Sequence, residues 1–256
     1  MWSELADLVL PGSSAGCGAE RVPMRHGVCA ACVAELEGLR AYPTAPTPPP
    51  PGMPPCLAAG EYAGALRGVL LAYKEKGRHG LAGPLGTLLA GAIAEAAPPR
   101  RPLLVVPVPS TAKARRERYG DHMARLATHA VRRLRVAGWE AALGQVLSVT
   151  PRPDSASLDA EERRIAAESS LRIRPSRMRV LRRAATMRST LVVVDDIVTT
   201  GATLAAVTGR LREANMQVRA AAVLAATRLR RAGRSETGAD PAGPCVIGVV
   251  PRTRGD

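Results

Sequence analysis

Residues 191–207 read LVVVDDIVTTGATLAAV, and the rest of the fold follows from them. Leu191–Val194 is a run of four apolar residues, three of them β-branched, as in a strand buried on both faces of a sheet. Asp195 ends that strand and Asp196 follows it. Thr199-Thr200-Gly201-Ala202-Thr203 then makes a short loop. Leu204, Val207 and Leu211 recur at helical spacing, which predicts a helix over Thr203–Ala214. In open α/β sheets, ligands sit outside the carboxyl ends of the strands, so this loop is where a ligand is expected.

The residue types say what kind of ligand. Backbone N–H groups at a helix N-terminus make an anion site suited to phosphate. Gly201 permits close backbone approach or a positive φ. Thr199, Thr200 and Thr203 add hydroxyl donors. Asp195 and Asp196 repel phosphate, but their carboxylates can accept hydrogen bonds from two vicinal hydroxyls of a sugar. Carboxylates for a ribose beside a cradle for its phosphate read as a ribose-5-phosphate site.

Working outward, strands and helices alternate. LLVVPV (Leu103–Val108) is an apolar strand ending in Pro-Ser. Met123, Leu126, Ala127, Ala130, Val131 and Leu134 mark a helix. QVLSV (Gln145–Val149) reads as the next strand of the sheet, and VRAAAVLAA (Val218–Ala226) as the one after Leu191–Asp195. Leu66, Val69, Leu70 and Tyr73 predict one earlier helix, and Leu85, Leu88, Leu89, Ala92 and Ile93 another. Short helices are also expected around Glu4–Leu10 and Asp159–Glu168, and a last strand at CVIGVV. The fold class is α/β: a parallel sheet flanked by helices. The expected divisions are a Cys-containing head over 1–42, a Pro-rich linker over 43–55, the α/β domain over 56–230 and a loose segment over 231–256. The linker assignment rests on the Pro content, since proline enters neither helix interiors nor central strands.

Composition sets the partners. The 256 residues carry 36 Lys and Arg against 22 Asp and Glu, a formal charge of +14. Such a chain suits phosphates or nucleic acid; equally, Arg scattered through an Ala-, Gly- and Pro-rich sequence fits a compositional origin. Aromatic residues are 2% and Phe is absent, so the core is built from Ala, Leu and Val. No apolar run reaches the ~18–20 residues of a membrane span. The opening MWSELADLVLPGSS has acids where a signal peptide has bases; the expectation is a cytoplasmic protein.

The motif LVVVDDIVTTGAT resembles the 5-phosphoribosyl 1-pyrophosphate (PRPP) binding motif of type I phosphoribosyltransferases. More of the chain resembles one branch, the ComF (late-competence) family. LVVPVPS is similar to that family's Val-Pro-Val-Pro strand end, AYKEKGRHGLAGPLGTLLA to its Leu-Lys-Tyr-Arg-Gly segment, RRERYGDHMARLA to its Arg-Glu-Arg-Gly segment and SLDAEERR to its Leu-Ser-x-x-Glu-Arg-Arg segment. The resemblance runs over about residues 14–226 in the family's order. Departures are Asp121-His122 where Asn and Gln are common, Ala166 in place of Asn, and Ala202 where Ser or Thr is frequent. The resemblance implies a type I phosphoribosyltransferase fold that binds PRPP with Mg²⁺. Asp195 and Asp196 would hold the ribose, Thr199–Thr203 the 5-phosphate, and Ser110, Thr111 and Lys113 the pyrophosphate. Arg115, Arg116 and Arg118 follow that loop. Lys74 and Lys76 lie in another basic loop, which could reach phosphate or nucleic acid or simply face solvent. Residues 150–165 occupy the place of the loop that covers PRPP in this fold.

Five cysteines, an odd number in a reducing compartment, point to metal or free thiols. Cys29-Ala30-Ala31-Cys32 is a CxxC pair, and Cys17 closes a knuckle whose first ligand position holds Ser14. Two CxxC knuckles would make a Cys₄ zinc site, and the ComF family often has this head. Here Cys17, Cys29 and Cys32 remain as ligands for Zn²⁺, with His26 or Cys56 as a fourth. A degenerate, metal-free head and a redox CxxC are the alternatives. Cys245 reads as a buried small side chain.

Two functions stay open at this stage. One is a phosphoribosyltransferase whose acceptor the sequence does not define. The other is a non-catalytic competence or DNA-uptake protein that binds single-stranded DNA or a partner protein through its charge.

Overall fold

The computed structural model describes residues 12–98, 101–117, 120–150 and 170–227. The expected helices at Glu4–Leu10 and Asp159–Glu168, the CVIGVV strand, the 231–256 segment and almost all of the 150–165 loop lie outside them.

The hairpin β1 (Met24–Arg25) and β2 (Val28–Cys29) leads into helix α1 (Ala30–Gly38). Next come β3 (Tyr42–Thr44), β4 (Cys56–Glu61), α2 (Gly64–Glu75), α3 (Ala82–Ala96) and β5 (Leu103–Pro107). Then follow α4 (Ala112–Glu117), α5 (His122–Val136), β6 (Ala141–Leu143), β7 (Leu147–Val149) and β8 (Leu171–Ile173). The last elements are α6 (Met178–Thr186), β9 (Thr190–Val198), α7 (Ala202–Arg212) and β10 (Val218–Ala226).

One six-stranded sheet runs β3-β4-β10-β9-β5-β6. All its pairings are parallel except β3 with β4. Leu191 and Val193 of β9 face one apolar layer, and Val192 and Val194 the other, as a two-residue period requires. The first layer is closed by Leu181 and Ala184 of α6 and Leu204, Val207 and Leu211 of α7. The second is closed by Leu66, Val69 and Leu70 of α2, Leu85 and Leu89 of α3, and Leu126 and Ala130 of α5. A fully buried, continuously apolar central strand is what this two-sided cover demands.

Two expectations about strands are corrected. The sheet strand after α5 is β6, not Gln145–Val149; Leu147–Val149 instead pairs antiparallel with β8 in a separate two-stranded ladder. The Gly144 N–H still donates to the Val105 carbonyl at 2.8 Å, a Cβ there would lie 3.0 Å from the Leu104 side chain, and the chain turns toward β7 beyond it. The Pro-rich stretch also begins inside the sheet. Tyr42, Pro43 and Thr44 pair with Ala58, Leu57 and Cys56, at an edge, where a proline is tolerated.

The head shares its core with the sheet domain. Cys29, Cys32 and Leu36 pack in the layer that holds α2 and α3. Glu35 of α1 accepts from the Ala65 N–H at 2.8 Å and so caps α2, satisfying a donor the helix leaves open. Arg78 donates to the Ser13 carbonyl at 2.7 Å.

Candidate functional site

The carboxyl ends of β5 and β9 lie side by side. Pro107 is in register with Val194, and the Val108 N–H donates to the Val194 carbonyl at 2.9 Å. The loop after β5 therefore starts level with the two aspartates. In that loop Thr111 Oγ1 accepts from the Ala114 N–H at 3.1 Å, opening α4. Lys113, Arg115 and Arg116 are exposed on α4; Arg118 lies outside the described residues.

β9 continues through Val198, three residues past the strand expected from sequence, so both aspartates are strand residues. They face different surroundings. Asp196 Oδ2 lies 2.9 Å from Lys74 Nζ and 2.9 Å from His122 Nε2. Burial opposes its charge, but the His122 hydrogen bond and the Lys74 ammonium outweigh it and hold the carboxyl at about 2. Asp195 lies near Cys56, in the opposite apolar layer; burial, then the Asp195 charge, push the Cys56 thiol up to about 12. Among the described residues Asp195 has no ion-pair partner, and its Oδ1 accepts from the Asp196 N–H at 2.9 Å. Burial and the adjacent Asp196 carboxylate push Asp195 up to about 8. The pair is thus split into an ion-paired Asp196, whose charge is favoured, and an Asp195 whose charge is disfavoured.

The phosphate-type loop has the expected form. Gly201 has φ +74 and precedes α7, whose N-terminus has no side-chain cap. A Cβ at Gly201 would lie 2.5 Å from Met53 Sδ and 3.2 Å from Pro46 Cγ. The positive φ requires glycine, and the loop rests on the Pro-rich segment. Thr199, Thr200 and Thr203 are exposed, and Ala202 is half-buried. Thr200 Oγ1 faces the Ala202 N–H at 3.5 Å. The first-turn N–H groups and these hydroxyls can receive an anion.

Two side chains change standing. Lys74 is half-buried inside the site, whereas Lys76 is exposed. His122 was no candidate from sequence, yet it joins both loops: Ser110 Oγ lies 3.3 Å from its Nδ1 and 3.0 Å from Asp121 Oδ1. The only signal for it was its place in a departure from the ComF pattern.

The phosphoribosyl transferase domain family model matches residues 152–241, about a third of the chain, spanning β9, the Thr-Thr-Gly loop and α7. Residues 152–241 are thus similar to a phosphoribosyl transferase domain, and the domain that holds them is mixed α/β, with a mostly parallel sheet flanked by helices. No curated protein matches the chain.

The cysteine head fits a metal in part. The sulfurs of Cys17, Cys29 and Cys32 lie within 4.8 Å of one another, and Cys17 Sγ is 3.7 Å from Cys29 Sγ. A tetrahedral ion with Zn–S bonds of about 2.3 Å separates its ligands by about 3.8 Å. Ser14 is buried, and its hydroxyl accepts from the Cys29 N–H at 3.2 Å, at the knuckle position where a ligand would stand. The Cys32 backbone N–H and the Ser14 hydroxyl lower the Cys29 thiol to about 7, while burial raises Cys32 to about 12. Cys56 is corrected as a fourth ligand, because β4 turns it into the other apolar layer. His26, at the hairpin turn with φ +53, is not in the cluster. Among the described residues no helix is long and apolar enough to cross a membrane.

Proposed function

We propose that the chain binds PRPP with Mg²⁺ at the carboxyl ends of β5 and β9 and transfers its phosphoribosyl group to an acceptor nucleophile. The observation that carries this reading is the N-terminus of α7 behind a positive-φ Gly201, one strand end away from Ser110–Thr111 and six residues after Asp195. The α7 amides with Thr199, Thr200 and Thr203 hold the 5-phosphate, and Asp195 takes the ribose hydroxyls. Asp196 acts from behind, through Lys74 and His122. Ser110, Thr111 and Lys113 face the pyrophosphate. The acceptor forms a bond to C1 as the C1–oxygen bond breaks, and pyrophosphate leaves with the electron pair. Mg²⁺ supplies neutralisation of that leaving group. ComF-type descent and a lid over 150–165 belong to the same reading. Zn²⁺ on Cys17, Cys29 and Cys32 would serve as a structural tie in the head.

Titration calorimetry of PRPP with Mg²⁺ tests the site. Wild type is expected to bind, and Asp195→Asn/Asp196→Asn to lose that binding; equal affinity of the two removes the reading. Pyrophosphate release across a panel of acceptors then tests for transfer. The exposed Lys113, Arg115 and Arg116 on one short helix favour a second reading, in which single-stranded DNA or an acidic partner lies across the basic surface.

A further inference from the structure

Asp121, Ser110, His122, Asp196 and Lys74 form one unbroken chain of polar contacts. Asp121 Oδ1 to Ser110 Oγ is 3.0 Å, Ser110 Oγ to His122 Nδ1 is 3.3 Å, and His122 Nε2 to Asp196 Oδ2 is 2.9 Å. Asp196 Oδ2 to Lys74 Nζ is 2.9 Å. The chain ties together α2, the start of α5, the loop after β5, and β9. His122 and Asp196 are buried.

Counting protons shows what holds it. A neutral imidazole has one N–H. With that N–H on Nε2, toward Asp196, Nδ1 is an acceptor and takes the Ser110 proton. Ser110 then has nothing to give Asp121. An imidazolium has two N–H groups. Nε2–H donates to Asp196, Nδ1–H donates to Ser110 Oγ, and the Ser110 hydroxyl is left to donate to Asp121. With Asp121 and Asp196 ionised, only the doubly protonated ring satisfies every contact. The charges then alternate along Asp121, His122, Asp196 and Lys74 and cancel.

We propose that His122 is a positioning residue, a doubly protonated clasp that binds the Ser110–Thr111 loop to Asp196 and holds the two ligand loops at one spacing. The clasp serves the PRPP site proposed above and rests on that reading. Ser110, His122 and Asp196 have the side-chain types of a nucleophile triad, but a ring with both nitrogens protonated cannot take the serine proton, and that proton is directed at Asp121. The charged groups facing the ring are Asp196 of β9, Lys74 of α2 and Asp121 before its own helix. Tyr73 of α2 donates to the His122 carbonyl at 3.0 Å, and Arg125, one turn further along α5, bonds His79 at 2.8 Å.

The tests are ¹⁵N NMR of the His122 ring, in which both nitrogens are expected to carry protons, and calorimetric titration of the full chain with PRPP and Mg²⁺. Wild type is compared with His122→Gln, His122→Asn and His122→Ala. A Gln amide nitrogen reaches where Nε2 stands; the Asn amide stops near Nδ1. His122→Gln, which keeps the Asp196 contact and loses the Ser110 contact, is expected to bind PRPP more weakly than wild type and more tightly than His122→Ala. His122→Asn and His122→Ala are expected to bind about tenfold or more weakly, the loss typical of a broken buried charge-assisted hydrogen bond. A His122 ring with one unprotonated nitrogen, or wild-type affinity in His122→Ala, overturns the proposal. If wild type binds no PRPP, the site reading fails, and the clasp is decided in ligand-free protein. There, a thermal-unfolding cycle compares His122→Gln, His122→Ala and Asp196→Asn singly with the His122→Ala/Asp196→Asn double variant. A double variant costing less than the sum of its singles, with His122→Gln less costly than His122→Ala, supports the clasp; additive costs overturn it.

Discussion

Asp195 and Asp196 are neighbours with opposed electrostatics, and pH separates them. Asp195 is raised from 3.8 to about 8, so the folded state holds its proton more tightly than the unfolded chain does. Its stabilising contribution is complete below pH 3.8 and is lost as pH rises to about 8. Asp195→Asn is therefore expected to stabilise ligand-free protein at neutral pH by on the order of 1 kcal/mol given its partial exposure, and so to raise its melting temperature. The gain should vanish near pH 4, and PRPP affinity should fall; differential scanning fluorimetry across pH checks the first two. Asp196, lowered from 3.8 to about 2, contributes stability above pH 3.8 that is lost as pH falls through 2. Asp196→Asn leaves Lys74 and His122 without their shared anion and is expected to cost about 3 kcal/mol at pH 7, read by urea unfolding. At Gly201, substitution by Val meets both a positive φ and the Met53 sulfur at 2.5 Å. The expected cost is about 1–3 kcal/mol, with loss of PRPP binding.

Among the elements, α2 couples the head to the site. A Cβ on Gly68 would lie 1.9 Å from the Gly16 carbonyl oxygen, backbone that cannot step aside. Gly68→Ala is expected to lift the Cys17 knuckle off α2. Faster maleimide labelling of Cys29 and Cys32 would show it; unchanged labelling would mean the head does not depend on this contact. The unit β9–loop–α7 is legible from sequence because its apolar run, turn residues and helical period all agree locally. β5, α3, α5 and β10 are legible for the same reason. β4 is not: Cys-Leu-Ala-Ala-Gly-Glu contains no β-branched residue, and it is a strand because β10 and β3 flank it, a tertiary effect. α6 is hidden by its arginines, with only Leu181 and Ala184 buried. Within the site, the loop glycine and threonines are readable as a motif. The contacts of Asp196 with Lys74 and His122 are not, because they join positions far apart in the chain and no local spacing encodes them.

For the molecule as a whole, the charge of +14 predicts how it treats polyanions. Single-stranded DNA is expected to bind with little base preference, since the chain has two Trp, four Tyr and no Phe to stack on bases. Its affinity should fall steeply with salt. A shift assay over rising salt checks this; salt-insensitive, sequence-selective binding would contradict it. Zinc in the head is expected to appear in elemental analysis at one ion per chain, and chelation should lower the melting temperature.

Strand order carries a consequence for biosynthesis. Cys56 of β4 is in register with Ala221 of β10, so a strand translated early waits for one translated late. Until β10 emerges from the ribosome, β4 has an open edge and the Ala-Leu-Val layers lack their middle. Vectorial folding cannot complete this sheet; only release of nearly the whole domain can. Refolding from denaturant should accordingly be slow and prone to aggregation unless a holdase covers the waiting edge.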